Sequence, residues 1–340
     1  MGRNIGVDLH KRGMTVCYME AEGKYEIKEY GTDLFGYGSF KDELRKDDEV
    51  GVESTGNTGY FVTKVSGSVK KVRVINPWQF KIISSSVKKT DEHDAVTISK
   101  YMSKGLLPEV RMRSKEEREL ASLIGTRDNL VRTRTGLKNK IHNILNANGV
   151  ATERESMSSE KGLDRILGMG FEGLAGFELR ILVEQIKNFN KAIKEIDEEI
   201  KKKGRGLKGH ENITSIDGIG DINGTIMLNA IGDVKDFENE KKLEAYFGIV
   251  PRVRDTGESE NHGRITKMGN KLARTALVQS TLIAIRKSPY LKSYYSRLKA
   301  KKGSGKAIIA TSRKLLGIIY RTLKNDWVFE NFSEYKLQTN

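Results

Sequence analysis

Short β-type runs alternate with helical spacing over the first hundred positions. NIGVDL (4–9), MTVCYME (14–20) and KYEIKEYG (24–31) predict three successive strands, and EVGVES (49–54) and KVRVIN (71–76) predict two more. Helical spacing near 38–46 and 58–66 fills the intervals between the later strands. Asn76 ends the last strand, because a residue before proline is pushed out of regular continuation. Three strands in a row, then strand and helix in alternation, predict an α/β sheet.

Beyond residue 108 the period changes. From about 112 to 146 a very basic stretch carries Leu120, Leu123, Ile124, Leu130, Leu137, Ile141, Ile144 and Leu145 on a helical repeat that Asn148 and Gly149 stop. A second long helix places Leu179, Leu182, Ile186, Phe189, Ile193, Ile196 and Ile200 at intervals of 3 and 4, a heptad seam. The two helices are expected to pair, within one chain or between chains. The glycine-rich stretch 162–176 reads as a break between them, and KKKGRGLKGH (201–210) as a linker. From 211 onward come ITSIDGIGDINGTIMLNAIGD, a polar loop RVRDTGESENHG (252–263), and helical spacing from Lys267 to the end.

Composition narrows the class. The 340 residues are 37% hydrophobic, enough for proper cores, and 60 Lys and Arg against 45 Asp and Glu leave a net charge of +15. That excess suits a polyanionic partner such as nucleic acid, although many basic proteins bind none. One cysteine, Cys17, excludes an intramolecular disulfide framework and a cysteine zinc site, and fits a reducing cytoplasm. No apolar run approaches the roughly 20 residues of a membrane span, and MGRNIGVDLHKRG lacks the apolar core of a signal peptide, so a soluble, cytoplasmic protein with no membrane partner is expected.

Candidate chemistry lies in four carboxylates. Asp8 ends the first expected strand and Glu53 ends the fourth, and residues at the ends of neighbouring strands can converge although 45 positions separate them. In KKTDEHDA (88–95), Asp91 and Asp94 share a face if the segment from Asp91 to Lys104 is helical. Asp8, Glu53, Asp91 and Asp94 together would form an all-oxygen ligand set of the kind that takes Mg²⁺ or Mn²⁺. Two such ions can clamp the attacking and leaving oxygens of a phosphodiester. The simpler alternative is that Asp91 and Asp94 serve a helix N-terminus while Asp8 and Glu53 are ordinary strand-end polar residues.

IGVDLHK, VESTG, KKTDEHDA, TSIDGIG near 214, YFGIVPRV and HGRITKMGN, in that order, resemble the DEDD-type transposases of bacterial and archaeal insertion sequences, the bridge-RNA-guided recombinases. The resemblance covers most of the chain. It implies α/β plus all-α architecture: a ribonuclease-H-like (RuvC-like) catalytic domain over 1–108 with its tetrad on Asp8, Glu53, Asp91 and Asp94, a coiled-coil oligomerisation region over 109–205, and a helical transposase domain over 206–340. Magnesium or manganese, double-stranded donor and target DNA, a structured noncoding bridge RNA and a homo-oligomer of two to four subunits are implied with it.

In that family a serine before a glycine is thought to attack DNA and form a covalent phosphoserine. This sequence departs from the pattern, with Thr256 before Gly257 in GIVPRVRDTGESENHG. Threonine keeps the hydroxyl but adds a methyl group that stiffens χ1 and crowds an in-line approach. Ser259 is the alternative nucleophile, and a weakened copy that uses neither is the third. Arg252, Arg254, Arg264 and Lys267 flank the loop and can hold phosphate oxygens, or form a solvated basic loop. His262 reads as a polar loop residue rather than a proton shuttle.

Three further motifs bear on phosphate binding. SIDGIGDINGTIML resembles one helix-hairpin-helix unit, in which Gly218 and Gly220 would expose backbone N–H groups to a phosphate, or else form a plain helix–helix turn. GSGKAIIATS is not a phosphate loop, since Ala300 and Ala307 replace its first glycine and its hydroxyl residue. Arg127, Arg132, Arg134, Lys138 and Lys140 on the basic helix suit phosphate contacts, or the solvated face of a coiled coil. His10, His93, His142 and His210 show no metal-ligand spacing with one another. Rival readings are a Holliday-junction-type nuclease in which water attacks, a nucleic-acid-binding relative without chemistry, and a sugar-kinase or actin-like ATPase, the last disfavoured because no glycine-rich turn follows Asp8.

Overall fold

The computed structural model describes residues 2–83, 90–151, 157–256 and 259–338, with the side chains of 253–262 outside the description. It divides into two compact units, 1–115 and 116–340.

The first unit runs β1 (Asn4–Leu9), β2 (Gly13–Met19), β3 (Tyr25–Gly31), α1 (Leu34–Asp42), β4 (Glu49–Glu53), α2 (Thr58–Val65), β5 (Lys71–Ile75), α3 (Pro77–Ile83) and α4 (Asp91–Ser103). Its sheet has the order β3-β2-β1-β4-β5. The first three strands meander antiparallel, and β4 and β5 add parallel to β1. Side chains alternate across the sheet. Ile5, Val7, Val16, Val50 and Val52 therefore face one side, where they bury Tyr37 and Phe40 of α1 and Phe61 and Val65 of α2. The opposite face carries Cys17 and Met19 and receives α4 through Ala95 and Val96.

That second face is shaped by two glycines, Gly6 and Gly51, paired across β1 and β4. A Cβ on Gly6 would lie 2.2 Å from the Ala95 carbonyl oxygen, and one on Gly51 would lie 2.8 Å from Ile98 Cγ2. Their missing side chains let α4 settle directly on the strands. Ser99, wholly buried, donates to the Cys17 carbonyl at 3.1 Å and ties the helix down. At the opposite end of β1, Arg3 clamps Asp48 through its backbone N–H (3.0 Å) and two guanidinium nitrogens (3.2 and 2.7 Å), and Arg45 N–H adds a fourth donor.

The second unit is mostly helical. α5 (Lys115–Ala147), α6 (Glu160–Leu167) and α7 (Gly173–Arg205) lead into α8 (His210–Thr214), α9 (Asp221–Ile231) and α10 (Glu240–Tyr246). A hairpin of β6 (Pro251–Thr256) and β7 (Ser259–Ile265) precedes α11 (Lys271–Lys287), α12 (Pro289–Lys302), α13 (Ser304–Lys324) and a small β8 (Phe329–Asn331), β9 (Lys336–Leu337) pair. α5 and α7 form an antiparallel hairpin within the chain. Ile141, Ile144 and Leu145 meet Leu179, Val183 and Ile186 near one end, and Leu120 and Ile124 meet Ile200 near the other. Four seam positions seven apart, Leu179, Ile186, Ile193 and Ile200, are buried.

Several sequence expectations are corrected. The helix expected over 38–46 starts four residues earlier, because Asp33 accepts from Gly36 N–H at 2.7 Å and caps it there. The glycine-rich break contains α6, capped by Ser159, and the first turn of α7. The supposed linker is helical through Arg205, since Lys and Arg are good helix formers favoured in a last turn and Gly204 fits against Thr225. The polar loop 252–263 is a strand pair, because a ladder needs backbone partners rather than apolar side chains. Helical spacing also fails after Lys324, where β8 and β9 pair.

Candidate functional site

Gly6 touches α4, and Asp8, two residues further along β1, falls on the same face of the sheet. The same rule carries Glu53, two beyond Gly51, to that face at the end of β4, and Val7 pairs with Val52 just before them. Glu53 is half-buried, and its backbone carbonyl accepts from the Thr58 hydroxyl at 2.6 Å. α4 supplies the other two acids. Ala95 and Ile98 press on the sheet, so Asp91 and Asp94, each one turn earlier, project over the strand ends. Thr90 fixes where this helix begins, its hydroxyl accepting from His93 N–H at 3.2 Å. The basic pair Lys88–Lys89 lies outside the described residues.

His10 joins the acids. Its Nε2 lies 3.1 Å from an oxygen of Asp8 and 3.1 Å from an oxygen of Asp91. Asp8, His10 and Asp91 each offer an atom within 4.8 Å of the others'. His10 sits in the tight β1–β2 turn, where its N–H bonds Gly13 O at 2.9 Å and Asn57 Nδ2 donates to its carbonyl at 2.8 Å. Burial pushes the Asp8 carboxyl above its usual range; His10 pulls it partly back, while the negative charges of Asp91 and Asp94 push it further up. Burial and like charge both resist ionisation of Asp8, and a cation relieves both. Sequence spacing missed His10, because its approach depends on the reversal of the chain at 10–13. Asn57 was missed as well, lying 47 residues from the carbonyl it holds.

The donor set fits a hard divalent ion with one nitrogen ligand available: two carboxylates, Asp8 and Asp91, and the His10 imidazole converge where β1 ends and α4 begins, with Asp94 near enough for its charge to act on Asp8 and Glu53 at the neighbouring strand end.

The remaining expected residues lie elsewhere. Thr256 and Ser259 pair with each other in the β6–β7 register, flanking Gly257 and Glu258, which lie outside the described residues, as do the side chains of Thr256, Ser259, Arg254 and His262. Arg252 donates weakly to Thr266 O at 3.4 Å, and Arg264 and Lys267 are exposed. Gly218, with φ 98°, lies where a Cβ would meet Ala284 N of α11 at 2.6 Å, so close helix packing requires a glycine there; Gly220 precedes α9 and is exposed. On α5, Arg127 pairs with Asp197, Arg134 donates to Asn190 at 2.8 Å, Lys140 lies 3.2 Å from Glu178 and Arg132 pairs with Asp128. Burial, with Arg134 nearby, lowers the pKa of Lys138. Much of this charge is engaged in the α5–α7 hairpin. Among the described residues no helix is long and apolar enough to cross a membrane.

Comparison with known proteins bears on both units. Residues 5–148 match a family model for transposases of the DEDD IS110 type, and residues 210–296 match the model described as the transposase IS116/IS110/IS902 family. The chain is 27% identical over 330 residues to the transposase for insertion sequence element IS1111A of Coxiella burnetii, covering 94% of this chain and 89% of that one. It is 27% identical over 243 residues to a probable family 20 transposase of Pseudomonas aeruginosa, covering 70% and 71%. The pilin gene-inverting protein of Moraxella bovis is 24% identical over 270 residues, covering 76% and 74%.

Proposed function

This chain belongs to the DEDD-type insertion-sequence transposases, and from that premise we propose that it cuts and exchanges DNA strands with a divalent cation and a protein hydroxyl. The observation that carries the reading is the convergence of Asp8 and Asp91 on one point, 3.1 Å each from His10 Nε2, at the end of the central strand. The sheet order β3-β2-β1-β4-β5, with its antiparallel meander and parallel extension, supports a RuvC-like, ribonuclease-H-type assignment for the unit. Asp8, Glu53, Asp91 and Asp94 are the proposed ligands, with Mg²⁺ or Mn²⁺ as the ion. Bound there, the ion would neutralise charge on the reacting phosphate oxygens.

Thr256 is the proposed nucleophile. Its hydroxyl gives up a proton as the oxygen bonds to phosphorus, one P–O bond to deoxyribose breaks, and the released deoxyribose oxygen takes up a proton, so the step gains and loses none overall. Arg252, Arg254, Arg264 and Lys267 hold the phosphate. Gly218 and Gly220, with Arg132, Lys138 and Lys140 of α5, contact nucleic-acid backbone, while Arg127 and Arg134 brace the α5–α7 hairpin as well. A structured bridge RNA selects donor and target duplexes, and a homo-oligomer of two to four copies, assembled in the cytoplasm, holds them. The divisions 1–108, 109–205 and 206–340 are the corresponding catalytic, coiled-coil and transposase parts.

Covalent trapping tests this. Denaturing gels of the chain with RNA, DNA and Mg²⁺ are expected to show a protein–DNA adduct that disappears in Thr256→Ala and in Asp8→Ala. Cleavage without any adduct would instead assign the attack to water, and an adduct that survives Thr256→Ala would remove Thr256 from the chemistry.

A further inference from the structure

A cavity of about 1210 Å³ opens in the second unit between the base of the β6–β7 hairpin and the turn joining α12 to α13. That volume exceeds the ~300–1,000 Å³ of ordinary small-molecule clefts, which favours a polymer segment over a metabolite. Arg264 and Lys267 line it from the hairpin side, and Lys301, Lys302, Lys306 and Arg313 from the helical side. Among the described residues no acidic side chain lines it. Arg313 is held by Glu244 at 2.6 Å, which leaves the lysines of the α12–α13 turn as the main charge on that wall. All three are exposed. The floor is apolar, made by the half-buried Ile265 and Ile309 with the fully buried Ile249 behind them.

Lys267 adds an independent sign. Its backbone has φ 56°, a left-handed conformation that strains a residue bearing a side chain. The fold enforces it: Lys267 N–H bonds Gly248 O at 3.0 Å, and Gly248 is itself left-handed, with no room for a Cβ beside Met268 N. Glycine would sit there without strain, yet the position carries a cation facing the cavity.

We propose that this cavity holds single-stranded DNA, with Lys301, Lys302 and Lys306 as its phosphate contacts and the isoleucine floor beneath unpaired bases. The DNA assignment rests on the reading of Thr256 as the nucleophile. Thr256 is five residue steps along β6 from Pro251 at the cavity, a span of about 17 Å, or about five stacked nucleotides. A duplex hides its base faces and would leave the apolar floor uncovered. The stretch KKGSGK thus contributes to phosphate binding through lysine side chains, not through the glycine-rich cradle of a nucleotide loop.

The test is fluorescence anisotropy of a labelled single-stranded oligodeoxynucleotide against full-length protein in the Thr256→Ala background, across a salt series. Losing three single-strand phosphate contacts, in Lys301→Ala/Lys302→Ala/Lys306→Ala, is expected to make the log–log salt slope shallower by about 2 and to weaken binding about 50-fold at ~0.15 M salt. Arginine at the same three positions is expected to retain the slope. A control triple at exposed Lys191, Lys194 and Lys202 of α7, outside the cavity, is expected to change it little. An unchanged slope overturns the proposal, as does a loss equalled by the control triple, an equal loss on duplex DNA, or a loss confined to RNA of the same sequence. If Thr256 is not the nucleophile, the parent chain gives no adduct, or gives one that survives Thr256→Ala, while the salt-slope change remains, so the two failures are separable.

Discussion

Gly6→Ala tests how the acids are brought together, because the substitution adds one methyl group remote from every ligand atom. The new Cβ would lie 2.2 Å from the Ala95 carbonyl oxygen, 2.6 Å from Ser99 Oγ and 2.8 Å from Ser99 N. Ordinary contact begins at 3.4 Å, so 3.4 − 2.2 leaves 1.2 Å that the backbone of α4 or β1 must yield. Two of the three obstacles are main chain and cannot rotate away. Metal sites accept about 0.2 Å of error in ligand distance, so a shift of that size takes Asp91 and Asp94 out of register with Asp8. We expect Mn²⁺ affinity, measured by calorimetry on the full chain, to fall about 10–100-fold, the loss typical when the support of a ligand is disturbed. Overpacking is expected to cost about 1–3 kcal/mol in urea unfolding. Gly51→Ala is the internal control. Its Cβ meets Ile98 Cγ2 at 2.8 Å and Met102 Sδ at 3.3 Å, side-chain atoms and not main chain, so it should lose stability comparably and keep metal affinity within a few-fold. Gly6→Ala that unfolds earlier yet binds Mn²⁺ like the parent would refute the claim that α4 seating positions the acids.

Other substitutions probe the same construction. Asp48→Asn should destabilise the first unit by about 3–5 kcal/mol, since it leaves Arg3, only 10% exposed at its side chain, without its carboxylate. Burial alone would raise the Asp48 carboxyl, but hydrogen bonds from Arg3 and Arg45 outweigh it and hold the pKa low. The stabilisation is thus present above the unfolded-state value near ~3.9 and lost as pH falls through the lower folded value, which acid titration by circular dichroism would follow. Asp8 has the opposite sign: its folded pKa is raised, so ionisation costs stability above the unfolded value and the cost disappears as pH falls. Asp8→Asn is expected to raise the urea midpoint of metal-free protein while abolishing Mn²⁺ binding; a lowered midpoint would contradict the crowding of charge. Ile186→Ala, at a fully buried seam position of α7, should cost about 2–5 kcal/mol, and a loss under ~1 kcal/mol would show the hairpin packing to be misread.

Four strands of the first unit, β1, β2, β4 and β5, were legible because each has buried positions, and burial imposes a pattern on sequence: Ile5 and Val7, or Val50 and Val52, can only alternate with what the other face admits; β3 has no fully buried position and was legible from its β-prone Tyr25, Ile27 and Tyr30. Asp8 and Glu53 stood out for the same reason, as acids closing apolar runs. The β6–β7 hairpin was not legible, since neither Arg252 nor Gly263 carries the apolar signal by which a strand is recognised. The fate of charge was hidden as well. Arg127 and Arg134 look alike in sequence, and only the antiparallel pairing of α5 with α7 delivers Asp197 to one and Asn190 to the other.

The site shows most sharply where local pattern stops being informative. Gly6 and Gly51 read as weak points in strands, yet in register they form the seat that brings α4 down, and the period of two then sets Asp8 and Glu53 beyond that seat, toward the start of the helix. His10 follows from the same geometry at one remove: the turn after β1 has only three residues, 10–12, in which to reverse, so its first side chain folds back over the strand end it has just left. Asn57 then ties that turn to the loop following β4, which carries Glu53, at 2.8 Å. The acids are therefore held from three directions, by strand pairing, by helix seating and by a turn. Loss of any one should loosen ligand geometry before it unfolds the sheet, and Asn57→Ala, which removes the tie without touching a ligand, should weaken Mn²⁺ binding while leaving the unfolding midpoint within about 1 kcal/mol of the parent.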